Sequence, residues 1–161
     1  MSKATLVFLI TDTHILLAPK LKKVGAGKLN GYGGRVQQGE SVLQAAVREL
    51  REESTVEAQA QDLHYVAHIT AHETDKETWE IDVFLLRQWQ GVAKATAEMG
   101  EPAWYPLKGI HRLNLNVADE EWMNTMIRGK RQTVVIDRRV TQARTEVSIR
   151  CTIVDELKVP A

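Results

Sequence analysis

The sequence predicts an α/β domain in which a mixed β-sheet lies between helices, on three observations. Runs rich in β-branched and aromatic residues fall at 5–10, 15–18, 63–73, 79–86, 104–107, 133–140 and 145–155. Two stretches, 42–54 and 117–128, space their apolar residues at the 3.6-residue period of an amphipathic helix. No repeat, low-complexity segment or linker interrupts the order strands, helix, strands, helix, strands, so 1–161 reads as one domain with helices packed on the sheet.

TLVFLI (5–10) and ILLA (15–18) flank Thr11-Asp12-Thr13-His14, a hairpin turn, and Pro19 ends the second strand. Lys20, Lys22 and Lys23 lead into VGAGKLNGYGG (24–34), where five glycines in eleven residues let backbone approach a metal or phosphate with no Cβ in the way. The helix over 42–54 opens with Ser41 and Gln44 at capping-box spacing and contains neither Gly nor Pro. Leu43, Ala46, Val47 and Leu50 form its expected buried stripe, with Glu49, Glu52 and Glu53 clustered beside it. After a polar connection at 57–62, the strand 63–73 puts Tyr65, Ala67, Ile69 and Ala71 on one side and His64, Val66, His68, Thr70 and His72 on the other. Histidines four apart on a strand lie about 13 Å from each other, too far to share a zinc ion, so they read as solvent-facing or pocket-wall residues. The strand 79–86 pairs back across the loop 74–78.

Residues 91–100 deliver one acidic side chain, Glu98, ahead of the short strand 104–107, where Pro106 marks an end or an edge. Asn116 is expected to cap the second helix, 117–128, whose Trp122, Met123, Met126 and Ile127 read as core before Gly129 ends it. A hairpin of 133–140 and 145–155 completes the sheet.

Composition removes several function classes. Lys plus Arg equal Asp plus Glu at 21 each, so nothing suggests a nucleic-acid surface, for which a basic domain is expected. No apolar run approaches the roughly 18 residues of a membrane span. The N-terminal apolar run lacks a small-residue cleavage site and reads as a strand. Cys151 is the single cysteine, which suits a reducing, cytoplasmic compartment. Nothing in the sequence sets the oligomeric state.

Three carboxylates on neighbouring turns repel one another by about 0.2–0.5 kcal/mol per pair. A helix built only for structure would interleave lysines. An all-oxygen donor set without His or Cys suits a hard divalent ion, Mg²⁺ or Mn²⁺.

Read in register, Gly34, Glu40, Arg48, Glu49, Leu50, Glu52, Glu53 and Val56 resemble the Nudix box, G-x5-E-x7-R-E-U-x-E-E-x-G-U with U a bulky aliphatic. One position departs, since Thr55 occupies the place of the second glycine. A β-branched residue at positive φ is an outlier, so a remodelled helix exit is expected. Over most of the chain, and most closely in GAGKLNGYGGRVQQGES, the sequence is similar to the MutT-type oxidised-purine nucleoside triphosphatases.

That resemblance implies the Nudix fold, an α/β/α sandwich with the box as loop–helix–loop. It also implies hydrolysis of a nucleoside triphosphate to monophosphate and pyrophosphate with Mg²⁺. Its metal ligands carry over to Glu49, Glu52, Glu53 and the carbonyl of Gly34, with Glu98 a further carboxylate that binds metal or acts as base. Glu53 is the first choice of general base and Glu98 the second. Arg48 holds a carboxylate in place, and Glu40 is its structural partner near the helix N-terminus. Lys20 is assigned to phosphate, and Asn30 and Asp119 to the base. Four pocket positions depart from the pattern, at Ala71, Glu73, Asn116 and Ala118, and Trp79 is expected to restore some stacking surface. Two other readings remain: a Nudix hydrolase of another diphosphate, such as ADP-ribose, a dinucleoside polyphosphate or a capped RNA end, and a nucleotide-binding module without catalysis. Complete retention of the box carboxylates speaks against the second.

Overall fold

A computed structural model describes residues 1–23 and 25–160. Val24, at the head of the glycine-rich loop, lies outside the described residues. The strands are β1 (Ser2–Leu9), β2 (His14–Pro19), β3 (Leu29–Asn30), β4 (Leu63–Glu73), β5 (Trp79–Leu86), β6 (Ala103–Pro106), β7 (Arg131–Val140) and β8 (Thr145–Val154). The helices are α1 (Val42–Ser54) and α2 (Asp119–Ile127).

Five strands form one mixed sheet in the order β1-β5-β4-β7-β8. β1 runs parallel to β5 and β4 parallel to β7, while the β4–β5 and β7–β8 pairs are antiparallel. A second, three-stranded sheet has the order β3-β2-β6. Alternation along β1 and the residue that follows it separates two apolar layers: Phe8 and Ile10 pack with Trp122, Met123 and Met126 of α2, whereas Val7 and Leu9 pack with Val42, Ala46 and Leu50 of α1. The helices therefore cover opposite faces, giving the expected α/β/α sandwich. Among the described residues no helix is long and apolar enough to cross a membrane.

Four local expectations are corrected. The α2 helix begins at Asp119 with Ala118 at the cap position, so Asn116 does not cap it; the Asn116 side-chain amide instead donates to Asp119 at 3.4 Å. A β-bulge between Tyr65 and Ala67 shifts the alternation of β4. Tyr65 consequently lies on the same side as His68, and both meet Asp82 of β5. His68 is thus only partly solvent-facing, with 30% of its side chain exposed, and sits in a carboxylate network, bonded to Glu80 as well. At the exit of α1, Thr55 adopts the left-handed conformation the family's glycine would take, with φ 68° and ψ 3°, and no remodelling occurs. Its N–H bonds to the Arg51 carbonyl and its hydroxyl donates to the carbonyl of Val92, which offset the backbone strain.

Candidate active site on the box loop and helix

The loop preceding α1 lies along the outer edge of β1. Tyr32 and Val7 exchange backbone hydrogen bonds, Gly34 accepts from the Thr5 N–H, and Val36 donates to the Lys3 carbonyl. Gly33 is required by this approach, because a Cβ there would fall 1.8 Å from the Thr5 carbonyl oxygen. A Cβ on Gly34 would meet the Glu49 carboxyl at 2.4–2.6 Å, so the helix carboxylate sits directly on this glycine.

The reciprocal capping box starts α1: the Ser41 hydroxyl accepts from the Gln44 N–H at 3.1 Å, and Gln44 accepts from the Ser41 N–H at 2.8 Å. Such a cap contributes about 1 kcal/mol. The inward face is rotated from the expected stripe. Val42, Ala45, Ala46, Leu50 and Glu53 are buried, while Leu43 and Val47 are only half-buried. Two of the three clustered carboxylates, Glu49 and Glu53, therefore lie on the inward face, and Glu52 looks outward with 54% of its side chain exposed.

Arg48 ties the cluster together. Its Nε and Nη2 grip both oxygens of Glu40 at 2.7 and 3.0 Å, its Nη1 meets Glu49 at 2.7 Å and Glu52 at 3.2 Å, and Nη2 also donates to the Arg35 carbonyl. The bidentate pair holds the Glu40 carboxyl below its usual range, with the Arg48 hydrogen bond the largest cause. Glu53 is 5% exposed and accepts the Gly33 N–H at 2.7 Å. Burial pushes its carboxyl up to about 7 against that N–H, and the neighbouring Glu98 and Glu49 add to the rise. Tyr32, fully buried with its hydroxyl unpartnered, is also pushed up, to about 12, by burial and then by Glu53 and Glu101.

Glu98 arrives from a different part of the chain. The segment 90–99 runs over the exit of α1 and then onto the end of β2, where the Leu21 N–H donates to the Glu98 carbonyl and Lys20 pairs with Met99. Lys20 also lies close enough to Asp119 to favour its charged form.

The residues assigned to the base come from β3, β5 and α2: the Asn30 side-chain oxygen accepts the Gly31 N–H at 2.8 Å, and among the described residues its NH₂ has no hydrogen-bond partner. Burial pushes the Asp119 carboxyl up, opposed by the Trp122 indole N–H at 3.0 Å and by Asn116. Trp79 is the cross-strand partner of Ala71, so it flanks the small residue where a pocket aromatic is missing. One ring face is already taken, with the Arg35 guanidinium 4.6 Å from its centroid. Glu73 is paired with Lys76 at 2.9 Å.

The donor chemistry fits a hard divalent cation. Glu40, Glu49 and Glu52 share a single guanidinium, and the buried Glu53 adds a fourth carboxyl whose rise comes first from burial and then from Glu98 and Glu49. Among the described residues no three acidic, His or Cys side chains converge on one point. Glu49 and Glu52 are turned to Arg48, Glu53 is turned to Gly33, and the Gly34 carbonyl, bonded to Thr5, has one lone pair left to offer.

A family profile, that of the NUDIX domain, matches residues 2–126. The chain belongs to the Nudix family. It is 33% identical over 128 residues to the oxidized purine nucleoside triphosphate hydrolase of Mus musculus, covering 79% of this chain and 80% of the relative. The Danio rerio protein of the same description is 34% identical over the same shares. In three dimensions the chain is similar to the crystal structure of the mutator MutT protein from Bacillus halodurans, with a TM-score of 0.74 at 20% identity over 94% of this chain and 97% of that one. Nudix hydrolases act on phosphoric anhydrides and use divalent metal ions, and this chain carries the family's box on the family's fold.

Two residues beside the site lie outside the box pattern. Tyr32 is marked in the sequence only as a large aromatic among glycines, the sign of a fixed core anchor. Thr96, whose hydroxyl donates to the Glu53 carbonyl at 2.9 Å, has no signal in the sequence at all.

Proposed function

We propose that this chain, as one Nudix domain over 1–161, is a Mg²⁺-dependent nucleoside triphosphate pyrophosphohydrolase that clears oxidised or non-standard nucleotides in a reducing, cytoplasmic compartment. Mn²⁺ is an acceptable replacement for Mg²⁺. Water and an NTP or dNTP give the monophosphate and pyrophosphate. The observation that carries the reading is Glu53: a buried carboxyl pushed up to about 7, aimed by the Gly33 N–H and sharing its surroundings with Glu98. A carboxylate so placed beside a reacting water can take its proton, general-base work worth roughly 10²–10⁴-fold.

In this reading water adds to a phosphorus of the anhydride and the P–O bond to the leaving pyrophosphate breaks. The water's proton passes to Glu53, with Glu98 the second carboxylate in reach. Glu49, Glu52, Glu53, Glu98 and the Gly34 carbonyl are the oxygen donors for the ion, which when bound neutralises polyphosphate charge and makes water more acidic. Arg48 fixes Glu40, Glu49 and Glu52 relative to one another. Lys20 meets phosphate, while the Asn30 NH₂, Asp119 and the free face of Trp79 receive the base. The names of the mouse and zebrafish relatives support an oxidised purine as that base.

Ala71, Glu73, Asn116 and Ala118 favour a second reading, in which the same apparatus cleaves another nucleoside diphosphate derivative such as ADP-ribose or a dinucleoside polyphosphate. A panel of ordinary and oxidised nucleoside triphosphates plus ADP-ribose, scored for pyrophosphate and phosphate release with Mg²⁺ and with EDTA, separates the two. Release of pyrophosphate from an oxidised purine triphosphate, abolished by EDTA, is expected. Turnover of ADP-ribose alone selects the second reading, and no metal-dependent turnover of any member returns the chain to a binding module.

A further inference from the structure

The segment 90–99 is fastened to the end of α1 by links at nearly every second residue. Glu57 and Gln90 exchange backbone hydrogen bonds, the Lys94 N–H donates to the Ser54 carbonyl at 2.9 Å, and the Thr96 hydroxyl donates to the Glu53 carbonyl at 2.9 Å. One further link is made by a side chain the family pattern does not supply: the Thr55 hydroxyl donates to the Val92 carbonyl at 3.2 Å. Glycine there would keep the left-handed turn and lose the link. The same Thr96 hydroxyl that reaches Glu53 also accepts the N–H groups of Glu98 and Met99 at 3.4 Å, and the Thr96 N–H closes the turn onto the Met99 carbonyl. One hydroxyl thus connects the main chain of the buried Glu53 to the backbone that carries the exposed Glu98.

We infer that Thr55 and Thr96 are positioning residues that lash the Glu98 segment to the exit of α1, so that the Glu98 and Glu53 carboxyls stay opposed through the catalytic cycle. The inference rests on the proposed role of Glu98 and goes beyond it. It gives the odd residue of the box a purpose: Thr55 accepts a strained backbone conformation at φ 68° in exchange for an anchor on a loop that otherwise sits exposed.

The test compares Thr55→Gly, Thr55→Ser and Thr96→Val with wild type on 8-oxo-dGTP and Mg²⁺, and repeats Thr55→Gly and Thr96→Val in a Glu98→Gln background. Thr55→Gly relieves the strained φ, so its Tm stays at or above that of wild type. Its kcat falls roughly 3- to 30-fold with KM within twofold, as expected when a reacting group is displaced by a fraction of an ångström to 1 Å. Thr55→Ser keeps the hydroxyl and retains wild-type kcat. Thr96→Val falls at least as far as Thr55→Gly. Amide hydrogen exchange over 92–98 quickens in Thr55→Gly and Thr96→Val, a readout independent of turnover. In the Glu98→Gln background neither substitution lowers kcat further. Wild-type kcat and unchanged exchange in Thr55→Gly overturn the inference, as does an equal loss with Glu98 already removed. If Glu98→Gln alone keeps wild-type kcat, it is the assignment of Glu98 that fails, and that result is distinct from the other two.

Discussion

Arg48 donates five hydrogen bonds to three carboxylates and a carbonyl, all within residues 35–52, whereas the proposed base wall of Asn30, Trp79 and Asp119 draws on three elements far apart in the chain. The first region is a lattice of charges fixed by one helix and the loop before it. The second is a set of single contacts: Asn30 held by its neighbour's N–H, Asp119 by Trp122, Trp79 by the Arg35 stack. A change in the lattice alters several carboxylates together and should act on the rate of chemistry. A change in the wall alters one contact and should act on which nucleotide is held.

The sharpest way to break that distinction is at Glu53. Glu53→Gln keeps the shape and the acceptor for Gly33 but removes the proton acceptor, so kcat should drop by at least 10²-fold with little change in Tm. A milder loss would hand the base role to Glu98. On the wall, Asp119→Asn preserves the acceptor for the Trp122 indole and so spares the fold. It should raise KM by roughly 3- to 10-fold for the preferred nucleotide while kcat stays within twofold, the pattern of a lost uniform binding contact. Steady-state kinetics on two purine triphosphates and one pyrimidine would show it. A kcat loss as deep as that of Glu53→Gln would mean that the two regions do not divide the work.

How much of each region the sequence disclosed follows the same division. The bounds of α1 were legible because capping, period and composition all lie in one continuous stretch, and residues 42–54 are helical throughout. Its inward face was misjudged. Pattern reading sends acidic residues outward, while Glu53 is inward and buried, its carboxyl accepting the Gly33 N–H from the preceding loop. Thr55 was misjudged for a related reason: intrinsic backbone preference disfavours it at positive φ, and a tertiary hydrogen bond to Val92 overrides that preference. The strands β4 and β5 were legible to the residue, yet strict alternation put Tyr65 on the wrong side, since a bulge leaves no mark in polarity. The wall was the least legible, because a stacking partner such as Arg35 on Trp79 is separated by 44 positions and by a sheet pairing that no local period reveals.

The smallest expected effect lies in neither region but behind them, in the network that the bulge creates. His68 Nδ1 meets Asp82 at 2.7 Å, its Nε2 meets Glu80, and Tyr65 and Thr70 donate to the same two carboxylates. A neutral imidazole carries one N–H and serves one of these carboxylates, so the doubly bonded arrangement calls for the protonated ring. Its pKa is correspondingly raised, the Asp82 hydrogen bond being the largest cause and burial opposing it. The sign of the stability effect follows. A folded-state value above the unfolded value, about 6.5, means the network stabilises fully below that pH and loses its contribution as pH rises through the folded value. Wild type should therefore melt about 3 °C above His68→Gln at pH 5.5, given the usual worth of a charged hydrogen bond in a chain of this size and the partial exposure of the ring. The gap should narrow steadily toward pH 9, as thermal melts of both proteins across the range would record. A gap that is flat or widens with pH would show that His68 is held as a neutral ring.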